Sequence, residues 1–406
     1  MRADDGAAAS ALANPVASAV WLALCVVTAI HGKTLAALFL GFVALLATSS
    51  YIWARMALRD VEVEIRAECA GVFPGQPFTV RRAIRNNKPL PLLWVEFREP
   101  CSLDDCALPD RGVIVERDEV EGERRVKAYE RLYRAGFVKW RRTLSFSDEW
   151  RAERRGIMGI GETLLRSGDG FGLCVTGRRF APSAPCRITV YPRLVEVAVS
   201  RVTDDMWDTR SSSGGFLKDR NLIKTVRDYM PQDSARDINM RLLARGQPLK
   251  VNCYEIVAPD SVLFIVDAAS FRDRGDEDFE ASLSVVASLI DGLAGRGIAA
   301  ALLAPDSGWF PEICTPPAAG AQARERMFEL LAALSKNGRG LSGRPLAAPG
   351  LYGQAYYVAG SLAEAGALRT LEGFPEHRTR LLLFDDGGAA ASGLRALSVD
   401  SLRGAC

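Results

Sequence analysis

Two uncharged apolar runs open the chain. Asn14 to Ile30 read NPVASAVWLALCVVTAI, and Thr34 to Trp53 read TLAALFLGFVALLATSSYIW. Each is close to the ~20 residues a helix needs to cross a ~30 Å hydrocarbon core. Both faces of each predicted helix are apolar, which argues against a helical pair buried in a soluble protein. Only His31, Gly32 and Lys33 separate the runs. The pattern therefore predicts an antiparallel transmembrane hairpin with both ends on one side. Trp21, Tyr51 and Trp53 stand where interfacial aromatics are expected. A cleaved signal peptide fits less well, because Arg2 is offset by Asp4 and Asp5 and a second apolar run follows at once. Arg55 and Arg59 follow the second run, against Lys33 in the turn, so the basic bias favours both ends in the cytoplasm.

From Val61 the period changes to two. Val61, Val63 and Ile65 alternate with Glu62, Glu64 and Arg66, the pattern of a half-buried strand. Turn residues at Phe73–Gln76 and Asn86–Pro91 punctuate further strands at Phe78–Ile84 and Leu92–Phe97. Arg124–Tyr133, Lys139–Phe146 and Arg187–Tyr191 continue the style, and short strands between turns predict a β-sandwich. The glycine-rich stretches Arg154–Glu162 and Ser167–Leu173 lack the spacing of a phosphate loop and read as turns.

Beyond Ser261 the pattern alternates. Ser261–Asp267 is a continuous apolar run ending in an acid, as a buried parallel strand reads. Helical spacing follows over Phe279–Leu293, Ala321–Leu334 and Leu362–Leu371. Strands are expected at Ile298–Ala304, Ala355–Ala359 and Arg380–Phe384. This order predicts a doubly wound α/β domain. Ligands in such sheets bind at the carboxyl ends of strands, where Asp267 falls. A von Willebrand A metal site would need a DxSxS pattern there. The stretch is Asp267-Ala268-Ala269-Ser270-Phe271, so Asp267 and a displaced Ser270 are the metal candidates. They make a poor octahedral magnesium site, and no cofactor is expected.

Composition narrows the chemistry. The 406 residues carry a net charge of +2 and are 48% hydrophobic. A chain of this kind folds, and it has no global basic footprint for nucleic acid. Nine scattered cysteines without a CxxC pair fit reduced thiols. The two histidines are His31 in the turn and His377 in a polar loop. No GxSxG elbow accompanies His377, and a solvated loop histidine is the preferred reading, so no catalytic residue is assigned.

The most distinctive stretch runs from Lys224 to Val251. It holds Arg227, Asp228, Tyr229, Asp233, Arg236, Asp237, Arg241 and Arg245, the partner-binding candidates. Ion pairs fastening the segment to its own fold are the simpler reading residue by residue. A partner surface is the functional one, since arginine is favoured at interfaces.

This stretch resembles the signature R-[ED]-Y-x-x-G-D-x-x-R-x-I-x-W-x-x-x-A-R of the "domain of unknown function 58" family. Arg227, Asp228, Tyr229, Asp233, Arg236, Ile238, Ala244 and Arg245 match it, while Gln232 replaces the glycine and Met240 the tryptophan. Arg154-Arg155-Gly156, Asp169–Leu173 and Val190-Tyr191-Pro192 are similar to further family motifs in the same order. The resemblance implies a bacterial inner-membrane protein with two spans and a von Willebrand A-like end. It also implies association with a MoxR-type AAA+ ATPase and with other membrane proteins of the same operon. The implied architecture is a hairpin at 1–58, a β-rich domain at 59–200, a charged linking segment at 201–258 and an A-like domain at 259–406. Three function classes remain open: a non-catalytic membrane-anchored adaptor, a metal-dependent ligand-binding A domain centred on Asp267, and an enzyme whose acids meet only in space.

Overall fold

The computed structural model describes residues 7–9, 15–102, 105–110, 113–121, 124–181, 186–212, 217–257, 261–346, 348–360, 374, 378–383 and 395–398. The predicted helix at Leu362–Leu371, and His377, lie outside these. The chain forms two units, Met1–Tyr191 and Pro192–Cys406.

In the first unit a short strand β1 (Ala7–Ala9) precedes α1 (Pro15–Ile30) and α2 (Thr34–Ala57). Gly32, at φ 71°, makes the turn between the helices. The helices meet where the Cys25 thiol of α1 donates to Ala37 O of α2 at 3.1 Å. Of the two, α2 is long and apolar enough to cross a membrane, while α1 is apolar and shorter. Outward-facing apolar side chains line both, among them Val16, Leu22, Ile30, Leu35, Leu38 and Phe42. On its other face α2 is small: Ala44, Ala47, Ser50, Ala54 and Ala57 are buried. Ala47 and Ala54 pack with Tyr51 on Leu173 and Cys174.

The strands that follow are β2 (Val61–Ala67), β3 (Gly71–Val72), β4 (Pro77–Asn86), β5 (Val95–Cys101), β6 (Ala107–Pro109) and β7 (Val113–Glu121). After them come β8 (Arg124–Ala135), β9 (Thr143–Ala152), β10 (Gly156–Ile160), β11 (Thr163–Gly168), β12 (Cys174–Phe180) and β13 (Cys186–Val190). They form a six-stranded sheet β1-β12-β11-β5-β8-β7, a four-stranded sheet β2-β4-β9-β6 and a small sheet β10-β13-β3. Inward residues of the two larger sheets share one core, including Val80, Ile84 and Trp150 from one and Phe97, Tyr133 and Leu165 from the other. Period-two alternation puts Phe78, Val80, Ile84 and Asn86 inward on β4. Several sequence expectations shift. Glycine-rich Gly156–Ile160 is a strand, because it pairs with β13, and Ser167 and Gly168 end β11 instead of lying in a turn. Lys139–Arg142 is loop rather than strand, and the strand expected from Leu92 begins at Val95.

The C-terminus of α2 is capped from the β-rich body. Lys88 is buried and its ammonium donates to Ala57 O. Burial lowers its pKa from the usual 10.5 to about 8, with the Asp60 charge opposing the shift. Between those values the folded chain binds fewer protons than the unfolded one, so this site makes stability rise with pH across that window. The melting transition of the first unit, followed in the full chain at pH 7.5 and at pH 10, should show that rise. Lys88→Met should flatten it, and an unchanged slope would contradict the assignment.

The second unit holds α3 (Val199–Ser212), an antiparallel ribbon of β14 (Leu217–Asp228) and β15 (Lys250–Val257), and an α/β sheet. The sheet comprises β16 (Ser261–Val266), β17 (Ala299–Ala304), β18 (Ile313–Cys314), β19 (Gln354–Ala359), β20 (Thr379–Leu383) and β21 (Arg395–Ser398) in the order β18-β17-β16-β19-β20-β21. All neighbours are parallel except β18. Every residue of β16 and β19 is buried, which explains their unbroken apolar runs. A four-residue helix α4 (Met240–Leu243) lies in the ribbon's connection, and α5 (Asp276–Gly295) and α6 (Ala321–Ala333) complete the helices described.

Candidate functional site

The charged segment is the connection between β14 and β15, and its fold follows from local hydrogen bonds. Arg227, near the end of β14, grips Asp233 with two bonds of 2.8 and 2.6 Å. Asp233 also accepts from Met230 N at 2.9 Å, closing the turn Met230–Asp233. This fork holds the Arg227 guanidinium above its ordinary pKa. Ser234 caps a 3₁₀ turn at Ala235–Asp237, and Asn239 caps α4 by accepting from Leu242 N at 3.1 Å. Asn239 also donates to Asn252 at 2.6 Å, fastening the excursion to β15.

The structure thus brings together only some of the sequence candidates. Arg227 and Asp233 form the brace, Asp237 is buried and Tyr229 is half-buried. Asp228 is exposed and 3.9 Å from the Lys250 ammonium. Arg236, Arg241 and Arg245 are exposed, and among the described residues no ion pair engages them. Beside them stand side chains that the charge pattern had hidden: Met230, Met240, Leu243 and Leu249 are exposed, Met240 at 66%. Met240 occupies the position of the tryptophan in the resembling signature. The connection between β14 and β15 thus exposes apolar as well as basic side chains.

Asp267 lies at the carboxyl end of β16, where the strand order turns from β17 on one side to β19 on the other. The backbone there is tight. Ser270 Oγ donates to Asp267 O at 2.6 Å and accepts from Gly360 N at 2.9 Å, joining the two strand ends. A side chain at Gly360 would meet Ser270 O at 2.6 Å. The Asp267 carboxylate is buried and accepts the Tyr357 hydroxyl at 2.7 Å. Burial raises its pKa, against the Tyr357 bond, the amides of Ser270 and Ala269, and the Arg272 charge. The serine hydroxyl is thus turned onto the main chain, and one carboxylate oxygen is already bonded. Among the described residues no group of three or more His, Cys, Asp or Glu side chains could hold a metal ion.

Two buried charge networks escaped the sequence reading. In the first unit Arg82 is fully buried, with Nε and Nη2 on Glu99 at 2.7 and 2.8 Å and Nη1 on Asp148 at 2.6 Å. Its guanidinium lies 4.2 Å from the Tyr133 ring centre. Burial opposes its charge, but Glu99, Tyr133 and Asp148 together more than offset this and raise its pKa. In the second unit Asp205, on α3, accepts from Arg380 and from the Tyr356 hydroxyl. The signal was present: Arg82 interrupts the inward series Phe78, Val80, Ile84, and Arg380 begins an apolar strand.

No family model matches the chain, and comparison with curated proteins finds no match. Among solved structures it is similar to Spo0M, a sporulation control protein from Bacillus subtilis, with 8% identity over 37% of this chain and 55% of that one, at a TM-score of 0.20. The chain thus spans about half the length of Spo0M. It is also similar to a non-cellulosomal cohesin from Archaeoglobus fulgidus, with 12% identity over 32% of this chain and 91% of that one, at a TM-score of 0.17. A type II cohesin domain from the cellulosome of Acetivibrio cellulolyticus gives 10% identity over 32% and 94%, at a TM-score of 0.15.

Proposed function

We propose that this chain is a membrane-anchored, non-catalytic adaptor whose β14–β15 connection binds a protein partner. The observation that carries the reading is the exposure of Met230, Met240, Leu243 and Leu249 together with Arg236, Arg241 and Arg245 in one connection braced by the Arg227–Asp233 fork. Exposed apolar side chains together with arginines have the composition of an interface core and its anchors. The apolar outer faces of α1 and α2 support anchoring through both helices, and Arg55 and Arg59 support a cytoplasmic body. The parallel sheet whose first strand ends at Asp267 supports an A-like second unit. The family resemblance makes a MoxR-type AAA+ ATPase in a bacterial inner membrane the first partner to test.

The full chain in detergent micelles should retain such a purified ATPase. Arg236→Glu with Arg241→Glu should weaken capture about 30-fold, the scale of two interface anchors. The variant should melt like the parent, because both side chains are exposed. Unchanged capture by a folded variant would remove this segment as the contact.

A further inference from the structure

The strand registers gather four junctions of the first unit at one end of its sheets. Val95, the first residue of β5, pairs with Ala135, the last of β8, and Gly168 of β11 pairs with Val175 of β12. In the facing sheet Val61 of β2 pairs with Asn86, and Arg85 pairs with Thr143, the first residue of β9. The segments 58–60, 87–94, 136–142 and 169–173 therefore emerge together, at the end where α2 enters. Hydrogen bonds tie them: Asn87 N to Asp60 O at 3.0 Å, Arg141 N to Lys88 O at 3.2 Å, and the Trp94 indole to Asp169 O at 3.2 Å.

This end is aromatic and basic. Phe137, Trp140 and Phe171 are 48%, 57% and 70% exposed. Arg59, Lys139, Arg141 and Arg142 are exposed around them, against the single exposed acid Asp60. Asp60 and Arg141, at φ 51° and 50°, are the only non-glycine residues with positive φ among those described. Such backbone is held only where its surroundings over-determine it, and here both examples fall in this cluster.

We infer that this end of the β-rich unit is a second membrane contact, a lipid-surface patch for anionic headgroups beside the α2 anchor. Aromatic rings partition to the bilayer interface, and exposed Lys and Arg are drawn to an anionic leaflet. A protein site would need no apolar helix beside it. Here α2 packs on the segment that carries Phe171, with Leu173 and Tyr51 both set against the cluster of Ala47, Ala54 and Cys174. The patch would hold the body against the bilayer instead of leaving it on a free tether. The inference rests on the anchoring reading above.

Hydrogen exchange of the full chain tests it, in nanodiscs of phosphatidylcholine alone or mixed with phosphatidylglycerol. Amides of 136–142 and 169–173 should exchange about tenfold more slowly in the anionic discs. High salt should erase the difference, as should Lys139→Glu with Arg142→Glu. Protected α2 amides in both discs, with loops exchanging equally, would overturn the patch and leave the anchor standing. Unprotected α2 amides would remove both. Loop protection appearing only when a soluble protein is added would make the patch a protein site instead.

Discussion

Arg82→Ala should destabilise the β-rich unit by about 3–5 kcal/mol, the usual cost of breaking a buried ion pair from one side. That is a large share of the ~5–15 kcal/mol that holds a domain together. The variant takes the guanidinium away from Glu99 and Asp148, which are 2% and 5% exposed. It also removes the cation over the Tyr133 ring. Because the chain has two units, a single melting midpoint is a poor reading, and native-state hydrogen exchange of the β4 and β9 amides should be used. Those amides should lose protection while β16 and β19 keep theirs. Arg82→Met with Glu99→Leu and Asp148→Leu should cost less than the sum of the single changes, since an apolar replacement strands no charge. Additive losses would contradict the network.

The second large effect is expected at Asp205. Its carboxylate reaches from α3 to three side chains on two neighbouring strands: Gln354, Tyr356 and Arg380. Arg380 and Gln354 are 4% and 1% exposed, and Tyr356 is fully buried. Asp205→Ala should cost about 3–5 kcal/mol, because it removes the carboxylate from the buried Arg380 guanidinium and an acceptor from Gln354 and Tyr356. Protection of the α3, β19 and β20 amides should fall together, with the β-rich unit unaffected. Asp205→Glu should recover part of the stability. An undiminished α3 would show that helix packing alone docks it, through contacts such as Val199 against Gly292. The consequence for function is direct, because α3 leads into β14 and so into the proposed partner surface.

Much of this architecture was legible from periodicity. The apolar runs before Ala57 became α1 and α2, and the alternation from Val61 became β2 and β4. The continuous runs at Ser261 and Ala355 became fully buried parallel strands. These are local consequences of which side chains avoid water, and a period records them. The Arg227–Asp233 fork was also within reach, because its partners lie six residues apart.

Other features depend on residues distant in sequence. Arg82 and Asp148 are 66 positions apart, and Asp205 and Arg380 are 175. A charged residue in an apolar strand signals burial but cannot name its partner. The same limit applies to Ser270, whose hydroxyl is committed by Gly360 from the neighbouring strand. It applies again to Phe137, Trp140 and Phe171, scattered in the sequence and gathered at one end only by strand register. What the chain alone determined is its elements and its two apolar N-terminal helices, since local water avoidance suffices for them. Which charges are buried in pairs and which face outward was decided by tertiary packing, because only packing brings remote side chains within hydrogen-bond reach.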